Sequence, residues 1–568
     1  MKIKNIAILG GGPSGLFMFK RLIDAEDNTF NIDIFEKTTQ LGAGMPYSEL
    51  GANTEHITNV SGNEIPELVT SVADWIESLP KELLDRFALS PEKYNDYKVM
   101  PRLLFGMYLQ NQFELLLNAA KDKGIAVNVY LKTEVIDIID IPDRNQVAVK
   151  TNKQTVTEYD YIVICTGHTW PKKLEGKVSG YFDSPYPPSK LAFKANHPIA
   201  IKGSSLTAID AIRTLARHNG KFNKDKSGRV SFAKNEDSPD FKMIMHSRNG
   251  MLPAVRFHLE DPHLLKDAVL SKEEVEANML SNGGFLSLDY VFDKNFKQLF
   301  KDKEPEFYER IKDIRLEEFV EMAMDLREKT DPFSLLRGEY VEAQKSIKRQ
   351  ESIYWKELLA VLSFAMNYPA KHFSAEDMLR LKRNLMPLIS IVIAFVPQSS
   401  VEEMLALHEA DALEMIAVDA NSHVEANDGG GIEYHYEDEN KTANKTYYKT
   451  FVNCVGQPHL WYSDLPYKSL MYQKVVSPAK LKFKSEDAAL TERNNNVEEV
   501  VQFAGDYYLS VPGLSINDNF QLLDSYGALN ERIYIMAVPY IAGFNPDYSG
   551  LDFGEKASSI IIESLEKN

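Results

Sequence analysis

The chain has 568 residues, too many for one hydrophobic core, so two or three domains are expected. Its 44% hydrophobic and 26% charged residues are those of an ordinary globular protein. A formal net charge of −18 argues against nucleic acid or an anionic membrane as the main partner, since both need basic surface.

Two cysteines, Cys165 and Cys454, give no disulfide framework and no metal cluster, and suit a reducing, cytoplasmic compartment. No metal motif is visible. The amino-terminal apolar stretch leads into a glycine turn, so it is read as a strand and not as a signal peptide. The longest apolar run, residues 385–396, contains Pro387 and is too short to span a bilayer.

Residues 4–9 have the branched, apolar pattern of a buried parallel strand. The turn Gly10-Gly11-Gly12-Pro13-Ser14-Gly15 follows, with G-x-G-x-x-G at Gly10, Gly12 and Gly15. Gly10 allows the tight turn, Gly12 lets backbone approach a pyrophosphate, and Gly15 lets helix lie on strand. Pro13 and Ser14 open a helix whose free N–H groups suit phosphate. A second strand, 31–35, ends in Glu36, 21 residues after Gly15, where a carboxylate accepts from a ribose diol. Lys37 follows it.

Residues 37–48 are rich in small residues, and Gly44, Met45 and Tyr47 suggest backbone packed against a flat ligand. Residues 56–63, with Asn59, have the same loop character. A helix is predicted over 101–123, and Arg102 at its start is placed near flavin phosphates. Strands are predicted at 126–130, 134–139 (with Val135 as a cofactor contact), 146–150 and 155–158. A buried strand over 161–165 ends in Thr166-Gly167-His168.

A second unit of the same kind starts at 198–202. Its turn carries Gly203, Ser204, Ser205 and Thr207. Ser205 stands where the second glycine belongs, and its hydroxyl suits a phosphate. The strand at 241–245 runs into His246-Ser247-Arg248, where an arginine pairs with a 2′-phosphate and favours NADP over NAD. Helices are predicted at 272–279, 306–327, 340–368, 375–389 and 401–408, a helical insertion. Strands return at 413–418, 431–436 and 446–454. Residues 486–499 read as a solvated loop. A strand at 533–538, a loop at 539–549 and a helix at 551–566 end the chain.

The ordered set GGGPSG (10–15), GAGMPYS (42–48), HITNVSG (56–62), PRLLFGMYL (101–109), ICTGH (164–168), KGSSLTAIDAI (202–212), HSRNGMLP (246–253) and NCVGQP (453–458) resembles the bacterial FAD-NAD(P)-binding family of flavoproteins. That family is distantly similar to ornithine and lysine N-hydroxylases and other two-dinucleotide flavoprotein monooxygenases. The resemblance implies an α/β fold of two Rossmann-like dinucleotide-binding domains with a helical insertion. Its parts are an FAD domain begun at 1–195, an NAD(P) domain begun at 196–251, the insertion at 252–412, a return of the NAD(P) domain at 413–460, and a return to the FAD domain at 461–568. It implies FAD at the first turn and the Thr166-Gly167 strand end, and NADP(H) or NAD(H) at Gly203–Thr207 and Arg248.

The function so implied is an FAD-dependent oxidoreductase using NAD(P)H, monooxygenase-like, acting on a small metabolite. The alternative is an FAD enzyme or flavin-binding sensor with a degenerate nicotinamide site. No residue is assigned as catalytic. His56, His168 and His246 lie at motif-bearing loops, as acid–base groups or as satisfied loop histidines. The oligomeric state is left open.

Overall fold

The computed structural model describes all residues except 1–2, 26–29, 249, 261–268, 439, 496, 498, 545–547, 549 and 568. Asn249 of the HSRNGMLP motif, and residues 545–547 and 549 of the predicted 539–549 loop, therefore lie outside the described residues.

The apolar run at the amino terminus forms the strand Lys4–Leu9, in which Ile6, Ala7 and Ile8 have no exposed surface. Such a strand must be covered on both faces, and it sits inside a sheet. The order of that first sheet is Gln521–Leu523, Leu529–Ile535, Tyr161–Ile164, Lys4–Leu9, Phe30–Phe35, Val127–Tyr130. All its pairings are parallel except the hairpin of the two carboxy-terminal strands. The last helix, Gly550–Lys567, packs against the first, Pro13–Asp24. Gly554 makes the approach close: a Cβ there would lie 3.0 Å from Phe17.

The second sheet is fully parallel, in the order Tyr181–Phe182, Thr450–Asn453, Pro198–Lys202, Lys242–Arg248, Leu413–Val418. It therefore begins before residue 196. The predicted strand 446–454 is two strands: Ala443–Tyr448 joins an antiparallel sheet with His423–Ala426 and Ile432–Glu437, and Thr450–Asn453 joins the second sheet. The corner is at Lys449. Gly180 allows it, because a Cβ there would lie 2.1 Å from the Lys449 carbonyl oxygen.

Two predicted helices are interrupted. Residues 306–327 divide into Pro305–Ile311 and Leu316–Lys329, because Glu318 accepts from the Arg315 amide (3.0 Å) and caps a new start. Residues 340–368 divide into Pro332–Arg349 and Tyr354–Ala365, with Gln350 left-handed at φ +56°. The predicted loop at 486–499 holds a helix, Glu486–Asn494, capped by Ser485. The loop at 56–63 holds a strand, Ile57–Ser61, paired with Val99–Pro101. No described helix is long and apolar enough to cross a membrane.

Candidate functional site

The first turn has the shape its glycines require. Gly10 has φ +114°, and a Cβ on it would meet the Cys165 carbonyl oxygen at 2.6 Å. On Gly15 it would meet the Gly10 oxygen at 2.1 Å. Gly12 caps the helix with extended backbone, Pro13 is its first residue, and the first intrahelical bond runs from the Leu16 amide to the Gly12 carbonyl (2.9 Å). The Ser14 and Gly15 amides precede that bond and have no partner within the helix. Gly44, at φ +59°, lies against this cap: a Cβ on it would be 2.9 Å from the Pro13 ring and 3.5 Å from Gly12 Cα. Around Gly12 the nearest atoms are the Gly44 backbone, with the Pro13 ring against Gly44, while the Leu41 side chain covers Gly11.

Glu36 ends its strand 8% exposed, and its two carboxylate oxygens accept from the Gly11 amide (2.9 Å) and the Thr38 amide (2.7 Å). Each oxygen retains capacity for another donor. The Thr133 amide donates to the Glu36 carbonyl (3.0 Å), which brings Val135, half-buried and two residues on, to this end of the sheet. Lys37 is exposed, and Met45 is half-buried. Tyr47 stands edge-on to Phe105 at 4.9 Å, and burial pushes its phenol pKa up. Thr166 is half-buried and Gly167 exposed, with open space where a Cβ would be.

Two expected cofactor contacts are committed elsewhere. The Asn59 carbonyl accepts from the Arg256 guanidinium, which also donates to Ser61 Oγ (2.6 Å) and pairs with Glu64. Arg102, expected near phosphates, donates to Ile57 O (3.1 Å) and meets Asp210 Oδ2 at 2.5 Å. The Tyr186 hydroxyl donates to the same Asp210 oxygen (2.7 Å). His56 Nε2 lies 3.2 Å from Asp210 O and 3.1 Å from Thr214 Oγ1, and Thr214 donates to Glu55 Oε1 (2.7 Å).

Asp210 and Thr214 belong to the helix Leu206–Asn219 of the second unit, so Arg102 and His56 bind the two units together. Burial, the largest single effect, pushes the Asp210 carboxyl up, but the Arg102 and His56 charges and the hydrogen bonds from Tyr186 and Arg102 together outweigh it, and the net displacement is downward. Burial, the largest effect, lowers the His56 pKa. Asp210 and Tyr186 were not singled out by sequence. The available signal was a carboxylate among Ala208, Ile209, Ala211 and Ile212, all buried. Beside this knot a cavity of about 500 Å³ opens between the units, lined among others by Glu49, Glu55, Arg86 and Ser189.

The second turn repeats the first. Gly203 has φ +109°, and a Cβ on it would meet the Cys454 carbonyl oxygen at 2.8 Å. Gly203 N donates to His246 O (2.8 Å) as Gly10 N does to Phe35 O (2.9 Å). Ser205 caps the helix at φ −91° and ψ −166°, and Gly12 does so at −79° and −165°. Serine thus stands in for glycine with the same backbone course, and it is exposed. Ser204 is turned inward: its hydroxyl donates to Met251 O (2.7 Å) and shares a hydrogen bond with Ser247 (2.8 Å). Thr207 is half-buried beside Gly456. Arg248 is exposed at the end of Lys242–Arg248.

His246 points into the core: its ring stacks on Tyr434 at 4.0 Å, and burial pushes its pKa down to about 4.

The loops that end the two central strands meet. Trp170 Nε1 donates to Gly456 O (3.2 Å). His168 Nδ1 and both amide atoms of Gln457 are buried there without hydrogen-bond partners. Burial pushes the His168 pKa down to about 4. Within the motif NCVGQP, nothing in the sequence marks Gln457 as buried. Backbone mouths at Gly12 and Ser205, a carboxylate at Glu36 and unpaired polar atoms between the units fit two dinucleotides.

Residues 7–169 match the model of the family described as FAD-NAD(P)-binding, and residues 271–393 that of the YdhS-like middle domain. The chain is 27% identical over 479 residues to YdhS of Escherichia coli (strain K12), covering 83% of this chain and 86% of that protein. Among solved structures, it is similar to the ornithine N-hydroxylase KtzI of Kutzneria sp. 744 (13% identity, TM-score 0.47, 100% and 99% of the two chains). The L-lysine 6-monooxygenase of Pseudomonas syringae gives 10% identity, a TM-score of 0.45 and coverage of 100% and 99%. The ornithine hydroxylase PvdA of Pseudomonas aeruginosa, in reduced form, gives 11%, 0.44, and 99% and 100%. With its glycine turn, strand order and family match in agreement, the segment 7–169 is an FAD-NAD(P)-binding domain.

Proposed function

We propose that the chain is an FAD-dependent oxidoreductase, reduced by NAD(P)H and monooxygenase-like, that acts on a small-molecule substrate in the cytoplasm. One observation carries it: the Gly10–Cys165 contact recurs as Gly203–Cys454, with the same strand register and helix cap in each sheet. Two turns of this form serve two dinucleotides.

A bound flavin supplies the electron transfer. The chain's residues bind and orient. Glu36 receives a ribose diol while held by the Gly11 and Thr38 amides. The free amides at Ser14 and Gly15, and Ser205 in the second unit, meet pyrophosphates. Arg248 meets a 2′-phosphate. His168, with its pKa near 4, is uncharged at neutral pH and offers hydrogen bonding without charge. The cavity beside Glu49, Glu55 and Arg86 suits a small polar substrate. Two buried free thiols, Cys165 and Cys454, favour a reducing compartment.

The test is an absorbance spectrum of the purified protein, then anaerobic addition of NADPH or NADH. A flavin spectrum that bleaches on addition is expected. Protein without flavin after reconstitution, or flavin that neither nucleotide bleaches, overturns the proposal.

A further inference from the structure

The strands His423–Ala426 and Ile432–Glu437 pair in antiparallel register, with His423 opposite His435 and Val424 opposite Tyr434. Alternation divides their side chains. Tyr434 is fully buried, and Val424 packs with it in the cluster that covers the second sheet. His423, Glu425 and His435 project from the other face. The two imidazoles are parallel within 4°, 4.9 Å between centroids. One ligand atom from each of the three residues lies within 4.8 Å of the others.

The hydrogen bonding fixes how the His423 ring presents itself. His423 Nδ1 is 3.1 Å from the Asn421 carbonyl oxygen, which only accepts, so Nδ1 carries the proton. In the neutral ring Nε2 is then a lone pair, and it faces Glu425 Oε1 at 3.7 Å. His435 Nε2 lies 3.4 Å from Glu425 Oε2, buried, with no hydrogen-bond partner. A lone pair on His423 and an unpartnered ring nitrogen of His435, one at each oxygen of a carboxylate, leave a place for a cation between them. The neighbouring lysine is spent: Lys445 pairs with Glu433 at 2.7 Å. Gaps of 3.4 and 3.7 Å are too long for good hydrogen bonds. They approach the roughly 3.3 Å between two ligands that each lie about 2.0–2.1 Å from one tetrahedral zinc ion. Holding His423 by its Nδ1–H is the outer support that metal-binding histidines commonly have.

We propose that His423, Glu425 and His435 bind a borderline transition-metal dication, Zn²⁺ being the type ion, with the remaining coordination position open to water. Two imidazoles select Zn²⁺ or Ni²⁺ over the hard cations Mg²⁺ and Ca²⁺. The site is separate from both nucleotide turns.

The test is calorimetric titration of metal-stripped, full-length protein with ZnCl2, NiCl2 and MgCl2. We expect one saturable Zn²⁺ per chain, weaker or similar Ni²⁺, and no Mg²⁺ event. His435→Asn and His423→Asn should each weaken Zn²⁺ by more than the roughly tenfold that loss of an outer hydrogen-bond partner costs. Glu425→Gln, close in shape, should weaken it while circular dichroism and nucleotide binding stay unchanged. Absence of a saturable Zn²⁺ event in the wild type overturns the site, as does equal Zn²⁺ affinity in the His423→Asn/His435→Asn double variant.

Discussion

Gly10 and Gly203 stand at corresponding points of the two sheets, at φ +114° and +109°, each pressed against the carbonyl of a cysteine that follows the neighbouring strand. An alanine at either place takes on both an unfavourable backbone conformation and a contact at 2.6 or 2.8 Å. The strain is about 1–3 kcal/mol before any clash is counted. Gly10→Ala is expected to lower the flavin-to-protein ratio, and Gly203→Ala to weaken NADP⁺ binding with flavin retained. Loss of flavin from Gly203→Ala alone would reverse the assignment of unit to nucleotide.

Glu36 carries a separate expectation. Its replacement by alanine removes the acceptor for two backbone amides and, under the proposed function, for the FAD ribose. Charge-assisted hydrogen bonds of this kind contribute roughly 1.5–3 kcal/mol each. The FAD dissociation constant of Glu36→Ala should therefore rise at least tenfold, measured by fluorescence titration of the apoprotein. Gly12→Asp, which puts a negative side chain in the mouth of the turn, should yield protein without flavin. A normal flavin content in both variants counts against this turn as the FAD site.

Under the proposed function, Arg248 sets the choice between nicotinamide nucleotides. A guanidinium at a strand end meets a 2′-phosphate with a forked contact. By strand register Ser247 holds the position of Glu36, so the second unit has no acid there to repel one, and Arg248 lies one residue further on. Because Arg248 is exposed, solvent and salt reduce the effect. Wild type is expected to favour NADPH, and Arg248→Ala to narrow the preference by about tenfold. The measurement is flavin reduction rate against concentration of each nucleotide. Equal use of both by wild type sinks the assignment.

The Arg102–Asp210 pair joins the units through groups whose side chains are 15% and 6% exposed. Asp210→Asn keeps the shape and leaves a buried guanidinium without its counter-charge, a loss of about 3–5 kcal/mol. Urea denaturation at pH 7 should show it. The pH dependence has a defined sign. The folded carboxyl titrates below its ordinary value, so its contribution is present above the unfolded pKa, near 4, and is lost as pH falls through the lower folded one. Wild type and variant should differ at pH 7 and converge in acid. A difference that grows on acidification would show that the pair does not work this way.

Features set by a single residue's geometry were legible in sequence. Gly10 and Gly15 are needed because a Cβ does not fit, and that need is written in residue identity; Glu36 follows from its distance down one βαβ unit. Features that depend on a distant partner were not. Arg102 reads as a phosphate ligand until Asp210, 108 residues away, is seen beside it. His423 and His435 meet only through strand register, which local composition does not give. The corner at Lys449 interrupts no apolar pattern and so left no trace. Gln350 turns left-handed within a run that keeps its helical polarity, and the two helices there read as one.

The pairing of Leu529–Ile535 with Tyr161–Ile164 has a consequence for biosynthesis. While the ribosome is still translating the second sheet and the helical region, the nascent first sheet keeps Tyr161–Ile164 as a bare apolar edge, of the kind that other chains capture. The second sheet takes its last strand at residue 453 and completes its strand set first, although it starts later. The flavin domain closes only after the carboxy-terminal hairpin leaves the exit tunnel, and the Gly550–Lys567 helix then seats on the first helix. Nonsense truncation near the carboxy terminus therefore strikes the first-made domain hardest.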